Sequence, residues 1–137
     1  DYVLIDFERD PARSLAELTA KQSPFKDVAG MLRSFDYAAS SYLLENIENE
    51  NHAAKTEIEK QEENTEFWYR TVSGAFLKSY REETAGASFL PADPEDFNLL
   101  LNTFILEKAV YELGYELNNR PDWTTIPLLG IEDILST

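Results

Sequence analysis

Two long stretches of this chain repeat apolar residues every three or four positions behind a capping residue and a proline, a pattern that permits little besides packed α-helices. In the first, Ser23-Pro24 is followed by Phe25, Val28, Ala29, Leu32, Phe35, Ala39 and Tyr42. This spacing predicts a helix to about Leu44 with one apolar stripe. In the second, Asp93-Pro94 precedes Phe97, Leu100, Leu101, Phe104, Ile105, Ala109, Leu113 and Leu117. The face is wide, so this helix should be central, ending before Pro121. Ser or Asp at the cap accepts hydrogen bonds from otherwise unpaired amides, and Pro has no amide to lose in the first turn.

Between them, Glu45, Glu48, Glu50, Glu57, Glu59, Glu62, Glu63 and Glu66 are opposed only by Lys55 and Lys60. Such a segment faces water, and its composition favours an acidic helix or a helix-hairpin tip over a linker. Phe67, Trp68, Val72, Ala75, Phe76 and Tyr80 then return to helical spacing, with the Phe67-Trp68-Tyr69 cluster expected in the core and Gly86 as the stop. His52 stands alone in acidic surroundings and reads as a surface residue. Leu15 to Lys21 suits a short helix, and Ile126-Pro127 leads into a last one over about Leu129 to Leu135. The opening run Tyr2 to Phe7 is short, β-branched and apolar, as a buried strand would be. The fold class is therefore mainly α, a helical bundle with a short N-terminal strand.

The chain has 137 residues, room for one compact domain, and 43% of them are hydrophobic, enough for a packed core. A net charge of −14 repels phosphate backbones and anionic lipid, so neither nucleic acid nor membrane is an expected partner. Cysteine is absent, which removes thiol chemistry and disulfides and is compatible with the cytosol. The chain opens at Asp1 directly into an apolar run, as a piece cut from a longer polypeptide would. An apolar face uncovered by such a cut would make a homodimer one expected state.

Two places could carry chemistry. In Ile5-Asp6-Phe7-Glu8, residues two apart on a strand share a face, so Asp6 and Glu8 could converge on a hard cation such as Mg²⁺; a strand-ending Asp is equally a turn former. The second is Tyr115-Glu116 with Asn119-Arg120 and Trp123. Sugars are held by planar hydrogen-bonding groups around their hydroxyls and an aromatic face beneath, which this set supplies. The same residues also suit an ordinary helix end with a tryptophan anchoring the tail.

Val3-Leu4-Ile5-Asp6-Phe7-Glu8, Pro11-Ala12-Arg13 and the run from Ser23-Pro24-Phe25-Lys26-Asp27 to Phe35-Asp36-Tyr37-Ala38 resemble the second half of bacterial maltokinases, kinases of the aminoglycoside-phosphotransferase-like fold often fused behind a trehalose synthase. Leu106-Glu107-Lys108-Ala109, Tyr111-Glu112-Leu113, Tyr115 to Trp123 and Ile126-Pro127-Leu128 extend the resemblance over nearly the whole chain, residues 45–66 excepted. Arg9-Asp10 stands where many relatives carry Gly-Glu.

The resemblance implies the C-terminal part of a protein-kinase-like large lobe, with 1–12 a strand and metal-binding loop and 23–137 a helical subdomain. It implies that Asp6, with Glu8 as second ligand, holds Mg²⁺ bridging the phosphates of ATP, and that Asp27 orients the catalytic loop. It tilts Tyr115, Glu116, Asn119, Arg120 and Trp123 toward maltose. The implied reaction transfers the ATP γ-phosphate to maltose, giving maltose 1-phosphate in the bacterial cytoplasm. No N-lobe lysine, glycine-rich cover or His-Gly-Asp loop is present, so these residues alone should be inactive and hold neither ATP nor Mg²⁺ tightly without the N-terminal part of the kinase. The competing expectations are a non-catalytic helical interaction module and a degenerate kinase kept as a glycan-binding scaffold.

Overall fold

The computed structural model describes residues 14, 16, 19–49 and 55–136. Four helices account for most of them: α1 (Phe25–Asn49), α2 (Lys55–Glu83), α3 (Pro94–Asn119) and α4 (Thr125–Leu135), with a single 3₁₀ turn at Pro121–Trp123 before α4. The mainly α class is thus as the periodicity predicts, and no strand occurs among the described residues. The strand expected at Tyr2 to Phe7 lies outside them, as do Asp6, Glu8 and His52. No described helix is long and apolar enough to cross a membrane.

The capping signals act as read. Ser23 Oγ accepts from the Phe25 amide at 3.3 Å, and Asp93 Oδ1 accepts from the amides of Glu95 at 2.7 Å and Asp96 at 3.2 Å. Gly86 follows α2 with φ of 79°, a left-handed conformation that suits glycine after a helix end. Of the short helix expected over Leu15 to Lys21, Ala16 and Thr19 are helical and the Ala20 amide donates to Ala16 O.

Four expectations are corrected. Helix α1 runs to Asn49 rather than Leu44, the sequence around and beyond that point including the good helix formers leucine and glutamate. The acidic segment and the aromatic stripe are not separate elements: from Lys55 they form one 29-residue helix, α2. Helix α4 starts at Thr125 with Pro127 inside its first turn, where proline costs no hydrogen bond, instead of at Leu129. Finally, Phe67 is 72% exposed, since α2 packs chiefly on α1 and buries a narrow arc; Trp68 reaches Phe35 edge-on at 6.5 Å. Leu100 and Leu117 likewise stay exposed on α3.

Contacts fix the arrangement. Phe35 of α1 meets both Trp68 and Phe76 of α2, and Tyr42 faces Asn64 across a groove. Helix α2 therefore returns antiparallel to α1. Helix α3 runs parallel to α1, since Arg33 pairs with Glu112 and Tyr37 with Glu116, each 79 residues on. Along this α1–α3 seam the interior changes character. At the N-terminal end Phe25, Val28, Leu32, Phe97 and Leu101 form the apolar core, with Phe76, Leu77, Tyr80 and Phe104 packed around it. At the C-terminal end the seam is polar, and there the candidate site lies.

Candidate functional site

One helical turn on α1, from Arg33 to Tyr37, faces one turn on α3, from Glu112 to Glu116, so an ion pair and a hydroxyl–carboxylate hydrogen bond stack along the seam. Arg33 Nε donates to Glu112 Oε2 at 2.8 Å and its Nη1 to Asp36 Oδ2 at 2.5 Å. Its side chain is 3% exposed, and Nη2 is buried without a hydrogen-bond partner. Gly130 of α4 closes over it: a Cβ there would overlap Nη1, so any larger residue would have to displace the guanidinium. One turn on, Glu116 is 1% exposed and receives three donors. Arg120 binds it bidentately, Nε to Oε2 at 2.9 Å and Nη2 to Oε1 at 2.6 Å, while Tyr37 Oη donates to Oε1 at 3.2 Å. The Arg120 guanidinium sits 4.3 Å from the Trp123 ring centroid and 5.8 Å from that of Tyr115.

Above this layer an open groove of about 400 Å³ is lined by Ser34, Tyr37, Lys108, Tyr111, Tyr115 and Arg120, with the carboxylates beneath. Tyr111 and Tyr115 are half exposed and offer aromatic faces, and Lys108 and Arg120 offer donors. Of the five residues singled out for sugar, Tyr115, Glu116 and Arg120 line the groove and Trp123 backs Arg120. Asn119 does not join them: its Nδ2 donates to Tyr115 O at 2.8 Å and terminates α3. Arg33, Asp36, Tyr37, Lys108 and Glu112 went unselected. Their convergence depends on helices far apart in sequence, and only the shared four-residue step of Arg33/Tyr37 and Glu112/Glu116 hinted at it. Asp27 is exposed in the first turn of α1, at the rim of a wider open hollow with Gln22, Ser23, Lys26 and Glu107.

Electrostatics give the cluster a definite sense. Burial raises the carboxyls of Asp36, which is part-buried, and of Glu112 above their ordinary range, because the nearby Arg33 charge offsets their desolvation only in part. Burial alone would weaken the Arg33 charge, but the two carboxylates outweigh it and hold the guanidinium protonated. The Tyr37 phenol is pushed up by burial and by Glu112 and Glu116, so it remains a donor. With Asp36 and Glu112 engaged by Arg33 and Glu116 by Arg120, the layer serves to position side chains. No group of three metal-ligating side chains occurs among the described residues.

The linkage has a checkable consequence. With folded-state values raised above unfolded ones of about 4, Asp36 and Glu112 bind more protons in the native state, so stability falls as pH rises from about 4 through the raised values. Self-repulsion from the net charge of −14 acts in the same direction. The melting temperature at pH 5 should therefore exceed that at pH 8, and Asp36→Asn should narrow the gap. Equal melting temperatures would refute this account.

No family profile matches the chain. It is similar to a glucosamine kinase of Streptacidiphilus jiangxiensis, 24% identical over 134 residues that make up 98% of this chain and 27% of that protein. The chain thus spans about a quarter of the relative's length, and the likeness is a kinase-like relationship.

Proposed function

We propose that these residues are the C-terminal helical part of the large lobe of an ATP-dependent sugar kinase whose acceptor is maltose, phosphorylated to maltose 1-phosphate. The observation that carries the kinase reading is the similarity to a sugar kinase over 98% of the chain. The groove over α1 and α3 supports a sugar beside it, since Tyr111 and Tyr115 supply faces while Lys108 and Arg120 supply donors. In this reading Tyr115, Arg120 and Trp123 hold the acceptor, the buried Glu116 fixes Arg120 from beneath, and Asp27 steadies the catalytic loop. Asp6 and Glu8 have the carboxylate chemistry that suits Mg²⁺, which with ATP would offset charge on the transferring phosphate. The layer beneath keeps Arg120 and Tyr37 fixed, so the donors meet sugar hydroxyls without first being ordered. An amino-sugar acceptor is the second reading, favoured by the name of the relative.

The test is phosphoryl transfer by the longer polypeptide with ATP and Mg²⁺, offered maltose and glucosamine in parallel. Maltose 1-phosphate is the expected product; glucosamine phosphate alone would support the second reading, and no transfer to either would end both. Trp123→Ala and Tyr115→Ala should each raise KM for the sugar about tenfold, equivalent to about 1.4 kcal/mol, and leave KM for ATP alone. The 137 residues by themselves should yield no sugar phosphate.

A further inference from the structure

Between α1 and α2 lies a second groove, of about 380 Å³, which shares no residue with the groove over α1 and α3. Its volume falls in the range of small-molecule sites, about 300 to 1,000 Å³. Ala38 and Ala39 of α1 leave the space, and the two large side chains that line it are Tyr42 of α1 and Trp68 of α2. The rest of the lining comes from α2, where Gln61, Asn64 and Thr65 fall with Trp68 within an arc of about 100°. Glu62, Glu63 and Glu66 belong to the same turns, yet no charged side chain lines the groove. An uncharged strip thus crosses the most acidic part of the chain.

That neutrality selects the class of ligand. A charged group entering the groove would lose water without meeting an opposite charge. A wholly apolar ligand would strip water from the amides of Gln61 and Asn64 and the hydroxyl of Thr65 and give nothing back. A neutral saccharide meets both demands, since its C–H face can lie on an aromatic ring while its hydroxyls exchange hydrogen bonds with amides that donate and accept at once. The polar groups are available for this. Thr103, Asn118 and Asn119 turn back onto the carbonyls of their own helix, whereas the side chains of Gln61, Asn64 and Thr65 hydrogen-bond nothing among the described residues. The aromatic area is available as well, Trp68 being 44% and Tyr42 57% exposed. Trp68 is braced edge-on against Phe35 at 6.5 Å, so little order remains to be lost on binding. We infer that this groove binds a neutral saccharide at a site separate from the one proposed for the phosphoryl acceptor. The inference goes beyond the kinase reading and does not depend on it.

The experiment is calorimetric titration of the longer polypeptide with maltotriose in the absence of ATP. A site of about millimolar affinity is expected, which Trp68→Ala weakens at least about tenfold and Asn64→Asp about fivefold, while Trp123→Ala leaves it in place. Because Trp68 also packs on Phe35, the Asn64→Asp substitution, at an exposed position, decides the matter should Trp68→Ala disturb the helix pair. Binding indifferent to both substitutions, binding that Trp123→Ala alone abolishes, or no binding of maltotriose would each overturn the inference. Phosphoryl transfer is scored separately, and KM for maltose should be unchanged in both groove variants. A Trp68-dependent site in a protein that transfers no phosphate would keep the groove and discard the function; transfer to maltose without such a site would do the reverse.

Discussion

Arg33→Ala should cost the fold about 3 to 5 kcal/mol at pH 8, the range for breaking a buried ion pair by removing one partner. Arg33 is 3% exposed and stands between Asp36 at 2.5 Å and Glu112 at 2.8 Å. Its removal leaves two carboxylates beside the α1–α3 seam, with Lys108, 3.9 Å from Glu112, in partial compensation. Against a total stability of about 5 to 15 kcal/mol for a domain, that loss is a large fraction, and the melting temperature should fall by roughly 10 to 20 °C. The defect should shrink at pH 5, because carboxyls already raised by burial take up protons more readily once the guanidinium is gone. Replacing all three together, Arg33→Met with Asp36→Leu and Glu112→Leu, should recover most of the loss, since apolar residues of similar volume avoid the desolvation that the ions incur. Thermal unfolding of the single and triple variants at both pH values decides it. A single variant as stable as the parent, or one whose defect grows on acidification, would show that the cluster is not the electrostatic unit described.

How far the sequence announced this arrangement differs between its two ends. Ser23-Pro24 and Asp93-Pro94 located the starts of α1 and α3, because capping is chemistry between neighbours in the chain. Gly86 located the end of α2 for the same reason, its left-handed backbone being a local demand. What was not legible is burial set by distant partners. Glu112 and Glu116 look like solvent-facing acids within an apolar pattern, yet they are buried because Arg33 and Tyr37, each 79 residues earlier, lie against them. Leu117 looks like core and is exposed, because its place in the apolar pattern does not report whether another helix lies against it. Phe67 follows the same logic on α2. At the candidate site, Tyr115, Glu116 and Arg120 were visible as a polar-aromatic helix end. The buried layer that holds them was not, since nothing within a single segment reports which helix will lie beside it.

Phe25→Ala should be about as damaging as the loss of Arg33, but with a different dependence on conditions. Phe25 is 1% exposed at the start of α1, its ring edge-on to Phe97 at 4.9 Å and stacked over Phe104 at 6.3 Å. Truncation removes the burial of a large side chain and opens a cavity between α1 and α3 that neither rigid helix can collapse into, a combination that costs about 3 to 5 kcal/mol. The two aromatic pairs add geometry-specific attraction beyond the buried area. No titratable group is removed, so the loss should be the same at pH 5 and pH 8, whereas that of Arg33→Ala should not. Because the apolar and polar ends of the seam lie two helical turns apart along α1 and share no partner, the double variant should lose close to the sum of the two single effects. Chemical denaturation at both pH values reads this directly. A Phe25→Ala defect that tracks pH, or a double variant far from additive, would mean that the two ends of the α1–α3 interface form one coupled unit.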